Sequence, residues 1–177
     1  PVSDFSRTAL ERGDEVDHDR AQAQHDELAD ALTDADIEVF YIEDPDPTRH
    51  WAVYARDFGT KSPEGVVISR FKYAERKGEE IPGMKRLKEL GYEIIGQVNR
   101  GAWEGGDNRY IDEDHIACGQ GERSTWPGIR NAQEIFANQG IEVHGIEIPT
   151  KWTHLDGVFA PITSDFALII KDEVPSW

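Results

Sequence analysis

An α/β protein assembled from copies of one supersecondary unit is what this sequence predicts, and three observations carry that reading. Short β-branched and aromatic runs alternate with helix-length segments of mixed charge. Three of the runs share an apolar-Glu-apolar pattern, Ile37-Glu-Val39, Tyr92-Glu-Ile94 and Ile141-Glu-Val143, and they lie 55 and 49 residues apart. The turn residues between them recur in a similar order. A unit of that length cannot bury its apolar face alone, so its copies must pack on one another.

Taken in order, residues 1–16 are polar and read as an irregular segment. From about Asp17 to Leu32 the apolar positions Ala21, Leu28, Ala29 and Leu32 among many charges predict a mostly solvated helix. A strand is expected at 37–42, a turn at Asp44-Pro-Asp-Pro47, and a second strand at 51–55 ending in Arg56-Asp57. After the turn at 61–65, Val66-Val-Ile68 is a short strand. A helix from about Tyr73 to Leu90 follows, interrupted near Pro82-Gly83. The order then repeats: a strand at 92–95, a turn at 104–107, strands at 109–111 and 115–118, and a helix begun by Ser124-Thr-Trp-Pro-Gly that runs to about Gln139. The third copy has strands at 141–143, 158–160 and 166–170, with Thr153-His-Leu-Asp156 read as extended.

The 177 residues suit one domain with its own core. Acids outnumber bases 35 to 19, a formal net charge of −16 that repels phosphate backbones and anionic lipid, so neither nucleic acid nor membrane is an expected partner. An acidic surface poor in lysine also suits a salt-rich cytoplasm, in which case stability should rise from low to molar salt. The single cysteine, Cys118, excludes an internal disulfide framework and fits a reducing, cytoplasmic compartment. No apolar run approaches the length of a membrane span.

The stretch Gly101-Ala-Trp-Glu-Gly-Gly-Asp-Asn-Arg109 sets Glu104 and Asp107 about a glycine pair, which permits positive φ or close backbone approach. Counted from the repeated strand, Asp57 lies 20 residues on, Glu104 12 and His154 13, so units about a common axis would gather these side chains. Asp156, two residues beyond His154, shares its face if the segment is a strand. Carboxylates held together in a dehydrated crevice raise one another's pKa unless a cation answers them. A divalent metal and a guanidinium both qualify. Arg76 and Arg123 each follow an acid of the set, Asp57 and Glu104, by 19 residues, and arginines beside acids describe a pocket for a zwitterion. Other conspicuous residues read as ordinary. His18, His25 and His50 are expected to be solvated, His115 and His144 alternate with apolar strand residues, and Trp103, Trp126 and Trp152 suit packing.

Together, Arg56-Asp57, the Arg-x-x-Glu from Arg76 to Glu79, Glu-Gly-Gly-Asp at 104–107, Gly-Glu-Arg-Ser at 121–124 and His-Leu-Asp at 154–156 resemble the guanidino-group-modifying superfamily. That group contains arginine deiminases, dimethylarginine hydrolases and amidinotransferases. The resemblance implies a pentein-type propeller of five ββαβ units about an axial pocket, with about three units in this chain. It makes 1–177 a single catalytic domain, incomplete at its C-terminus. It also implies His154 as general acid and base with Glu104 in the catalytic set. Asp57, Glu104 and Asp156 would hold the guanidinium, Asp107 would belong to the same binding set, and Arg76 with Arg123 would bind the substrate carboxylate.

The departure is the nucleophile. Family members carry a catalytic cysteine late in the chain, and no cysteine follows His154 here. Cys118 reads as a buried strand thiol, so the reaction implied draws its thiolate from beyond these residues. Attack on the guanidinium carbon would be followed by protonation of the departing amine by His154 and hydrolysis of the adduct, giving a ureido product such as citrulline. Arginine is the expected substrate, no cofactor or metal is needed, and a homo-oligomer is compatible. The competing expectations are amidino transfer through the same adduct, a relative that binds guanidinium ions without turnover, and a metal-dependent hydrolase.

Overall fold

Residues 7–8, 11–13 and 17–174 are described by a computed structural model. The chain forms two compact units, Pro1–Glu43 and Asp44–Trp177. Much of the expected irregular segment 1–16 lies outside the described residues, and the parts within them, 7–8 and 11–12, are helical.

In the first unit, helix α1 (His18–Asp34) begins where the Asp17 carboxylate accepts the Arg20 N–H at 3.0 Å, which satisfies one of the open donors of the first turn. Its apolar stripe is thin, and Ala29 is its buried residue. No strand forms at 37–42. Ile37, Phe40 and Tyr41 are exposed there, and β-branched or aromatic residues favour a strand only when a neighbouring strand and a half-buried face receive them.

The second unit holds three small sheets. Strands β1 (Gly59–Ser62), β2 (Gly65–Ile68) and β3 (Ile94–Gln97) form the first, with β1 antiparallel and β3 parallel to β2. Strands β4 (Asn108–Tyr110), β5 (His115–Gln120) and β6 (Glu142–Glu147) repeat that order and those directions. A third hairpin, β7 (Phe159–Thr163) with β8 (Phe166–Ile169), is antiparallel. Helix α2 (Glu80–Glu89) leads into β3, and α3 (Trp126–Ala137) into β6. Two complete ββαβ units and the opening hairpin of a third are therefore present among the described residues.

A short 3-10 turn precedes each hairpin: Ala55–Phe58, Gly105–Asp107 and Leu155–Gly157. They begin at Ala55, Gly105 and Leu155, so the repeat is 50 residues in both intervals. The first contacts the second and the second contacts the third. This period corrects the one drawn from the sequence, whose first marker, Ile37-Glu-Val39, is not a strand. The expected strand at 51–55 is a turn, and β1 occupies residues expected to be partly loop. Pro82 does not interrupt α2 but lies in its first turn, where no intrahelical N–H is required.

The main core lies among β2, β3, β5, β6 and α3, where Val67, Val98, Trp103, Ile116, Cys118, Ile129, Phe136 and Val143 are buried together. Strand β5, flanked on both edges, buries its four middle residues. Helix α3 is capped by Thr125, and Gly128 brings its first turn against the Ala102 carbonyl, where a Cβ would come within 1.9 Å of the oxygen. Asn131 on α3 accepts from the backbone N–H of Asn99 and Arg100 at 2.8 and 3.3 Å, which fixes the run into Glu104. The β7–β8 hairpin differs from these sheets, since Ile162, Phe166, Leu168 and Ile169 face solvent. None of the described helices is long and apolar enough to cross a membrane.

Candidate active site

The three 3-10 turns aim their polar residues at one another. Asp57 comes from the first, Glu104 and Asp107 from the start and end of the second, and His154 directly precedes the third. All four are buried. His154 Nε2 lies 3.1 Å from Glu104 Oε2, and its Nδ1 lies 3.8 Å from Asp57 Oδ1.

The glycine pair makes this convergence possible by close approach, since neither glycine has positive φ. A Cβ on Gly105 would fall 2.3 Å from the Arg56 carbonyl oxygen. One on Gly106 would fall 2.6 Å from His154 Cγ and 2.7 Å from Asp57 Oδ1. Gly106→Ala is therefore expected to push the imidazole and Asp57 apart and to reduce turnover at least tenfold. Its thermal stability should also drop, by an amount typical of core overpacking, about 1–3 kcal/mol. Steady-state kinetics and urea unfolding check both.

The cation that answers these carboxylates is internal. Arg76 donates to Asp57 Oδ2 at 2.8 Å, to Glu79 Oε2 from both Nε (2.9 Å) and a terminal nitrogen (2.7 Å), and lies 3.5 Å from Glu104 Oε2. Arg123 reaches Glu104 Oε2 at 3.4 Å and lies over the Tyr73 ring. Both guanidinium groups are buried. Asp57, Glu104 and His154 also present ligand atoms within 4.8 Å of one another, a spacing open to a metal. Two buried guanidinium groups within 3.5 Å of Glu104 oppose a divalent ion there.

Burial would lower the His154 pKa, but the hydrogen bond to Glu104 and the charges of Asp107, Asp57 and Glu104 outweigh it and raise the group above its ordinary 6.5. Burial likewise would raise Glu104, yet His154 and the two arginines hold it below the ordinary 4.5. The two shifts have one cause: each partner of the pair favours the charged form of the other, the imidazolium on His154 and the carboxylate on Glu104. Asp107 differs: burial dominates the attraction of His154 and pushes its pKa up to about 7, while its Oδ1 accepts the Leu155 N–H at 3.0 Å.

These shifts set a pH dependence for stability. Asp107 and His154 both have folded pKa values above their unfolded values of 3.8 and 6.5. The stability each contributes is complete below the unfolded value and is lost as pH rises through the folded one. Asp107→Asn keeps an acceptor for Leu155 N–H and removes the window between 3.8 and about 7. Its urea midpoint is expected to change less than that of the parent between about pH 5 and pH 8.

Asp156 does not join the buried cluster. Because Leu155–Gly157 is a 3-10 turn and not a strand, residues 154 and 156 do not share a face. Asp156 is exposed and pairs with Arg109 at 2.8 Å. Residues to which the sequence reading gave no role also hold the site. Glu79 takes two donors of Arg76, Ser124 Oγ accepts the Glu104 N–H at 3.0 Å, Asn108 donates to the Glu104 carbonyl at 2.9 Å, and the Lys72 N–H donates to Glu104 Oε1 at 3.3 Å. Glu79 and Ser124 stand in the quoted motifs, Arg76 to Glu79 and 121–124, whereas nothing in the sequence singles out Lys72 or the side chain of Asn108. Cys118 lies in the core, fully buried, and burial with Asp107 nearby pushes its thiol well up.

A family model described as N,N dimethylarginine dimethylhydrolase, eukaryotic, matches residues 2–176. The chain belongs to the dimethylarginine dimethylhydrolase family. Among solved structures, it is similar to the Pseudomonas aeruginosa enzyme of that name complexed with citrulline, with a TM-score of 0.78, 21% identity, and 86% of this chain and 59% of that one covered. A product-bound N-terminal domain of ArgZ, a cyanobacterial arginine dihydrolase, gives a TM-score of 0.77 at 22% identity over 89% of this chain and 57% of that one. An uncharacterized Caenorhabditis elegans protein, ZK1307.1, is 27% identical over 157 residues, 88% of this chain and 55% of its own. The chain thus spans less than two thirds of the length of these relatives. The mixed α/β fold is the family's, and the guanidino-modifying superfamily resemblance drawn from the five short motifs is correct.

Proposed function

We infer that this chain supplies the guanidinium-binding and proton-transfer part of a hydrolase that converts a guanidino compound to a ureido product through a covalent cysteine adduct. The buried His154–Glu104 pair is the observation that carries the reading. An imidazolium held by a carboxylate can protonate a departing amine, and the neutral imidazole left behind can take a proton from the attacking water. Asp57 and Glu104 offer acceptors to the guanidinium, with the fork geometry that carboxylates match. Arg123, held near Glu104 and over Tyr73, is the side chain best placed to attract a substrate carboxylate. Arg76 supports the acids from behind, since three of them already engage it. The nucleophilic thiolate comes from residues other than Cys118.

Arginine, giving citrulline and ammonia, is the first reading of the substrate. The second is N,N-dimethylarginine. It is favoured by Asp156, whose engagement by Arg109 leaves fewer acceptors for the unsubstituted fork of arginine. The family match points the same way. Incubating the natural gene product with each compound and measuring citrulline, ammonia and dimethylamine separates the two. Citrulline from neither substrate, or activity abolished by EDTA, would remove the reading altogether.

A further inference from the structure

Outside this cluster, β5 and β6 carry a second set of ligand-type side chains that the proposed reaction does not use. In their parallel register His115 faces Glu142 and Ala117 faces His144, so His115, Glu142 and His144 project from the same side of the sheet. The two imidazoles stack, with centroids 5.5 Å apart and planes 26° from parallel, and His144 Nδ1 lies 3.8 Å from Glu142 Oε1. One ligand atom from each of the three lies within 4.8 Å of the others. Asp112 lies beside His115, its two oxygens 2.7 and 2.9 Å from Nδ1.

We propose that His115, His144 and Glu142 form a surface site for a divalent transition metal of the zinc class, with Asp112 orienting His115. Two imidazoles and one carboxylate are a recurrent three-protein-ligand set for zinc, which takes water in its fourth position. The Asp112 carboxylate against Nδ1 favours the tautomer with its proton there, which leaves the lone pair of Nε2 for the metal, as a carboxylate does behind many metal-bound histidines. The donors project from paired strands, which fix their spacing. The side chains are 42% to 69% exposed, so they can close from 4.8 Å to the tetrahedral ligand separation of about 3.3 Å by rotamer adjustment. A cleft of about 480 Å³, lined by Ile111, His115, Ala117, His144, Ile146 and Phe159, keeps one side open to water. Magnesium and calcium prefer oxygen-only shells and are not the occupants.

Zinc chloride titrated calorimetrically into the EDTA-treated chain at neutral pH tests this. One zinc per chain with micromolar affinity is expected. His144→Gln should weaken it at least tenfold, and Asp112→Asn by about tenfold through loss of ligand orientation. His154→Gln should leave it unchanged, and excess magnesium should not compete. Absence of binding below millimolar zinc would overturn the proposal. So would unchanged affinity in His144→Gln, loss of binding in His154→Gln, or displacement by magnesium. All these substitutions except that at His154 are on exposed side chains, and circular dichroism of each variant confirms that folding is retained.

Discussion

His154→Asn is expected to lower citrulline formation by the natural gene product by about 10²- to 10⁴-fold, the usual contribution of one positioned acid–base group. The loss should fall on kcat, with KM changing little, because asparagine retains a polar side chain beside Asp57 but cannot carry the proton. Glu104→Gln separates the proton's carrier from what tunes it. Glutamine keeps an acceptor but not the charge, so the hydrogen bond that most raises the His154 pKa is weakened and the alkaline limb of the kcat profile should move to lower pH. A profile that stays in place would mean that His154 does not govern that limb. Stopped-time citrulline assays across the pH range read both variants.

Arg76→Met has the largest expected effect on stability. Methionine fills similar space but leaves Asp57, Glu79 and Glu104 facing one another in a buried setting. Removing one partner from a buried ionic network costs about 3–5 kcal/mol, because the remaining charges have lost their compensation. Urea unfolding of the chain should register that loss. Adding Glu79→Gln should restore part of it, since one of the stranded acids is then neutral, and the two substitutions should therefore be non-additive. A loss below about 1 kcal/mol for Arg76→Met would show that water reaches the acids and that the network is not closed.

Much of this site was legible in the sequence because the chemistry demands unusual residues: glycines beside acids, and arginines at a fixed distance behind them. Asp57, Glu104, Asp107, Arg76, Arg123 and His154 do meet. The sequence could not show which cation answers the acids. Arg76 was expected to face a substrate and instead bonds to Asp57 and Glu79, a choice made by packing between segments far apart in the chain. Asp156 was misplaced for a local reason. His-Leu-Asp reads as alternating strand, but the residues after His154 close into a turn, and a change of backbone period reverses which side chains share a face. The fold shows the same division. The hairpins β4–β5 and β7–β8 and helix α3 appear close to where they are expected, whereas 51–55 is a turn, α2 begins at Glu80 and not near Tyr73, and Ile37–Ile42, apolar enough for a strand, forms none. The repeat was perceptible but out of phase, because its most regular part is three short turns that carry almost no hydrophobic signal.

The β7–β8 hairpin has a bearing on His154 that static geometry understates. On one side, the turn that follows this histidine leans on β4 and β5, which belong to a three-stranded, well-buried sheet; on the other, it leans on a two-stranded ribbon with much of its apolar surface in water. Such a ribbon opens at lower free energy than the strands behind it. In the 177-residue chain, amide deuterium uptake should therefore run faster through Phe159–Ile169 than through β5, with Leu155, next to His154, at an intermediate rate.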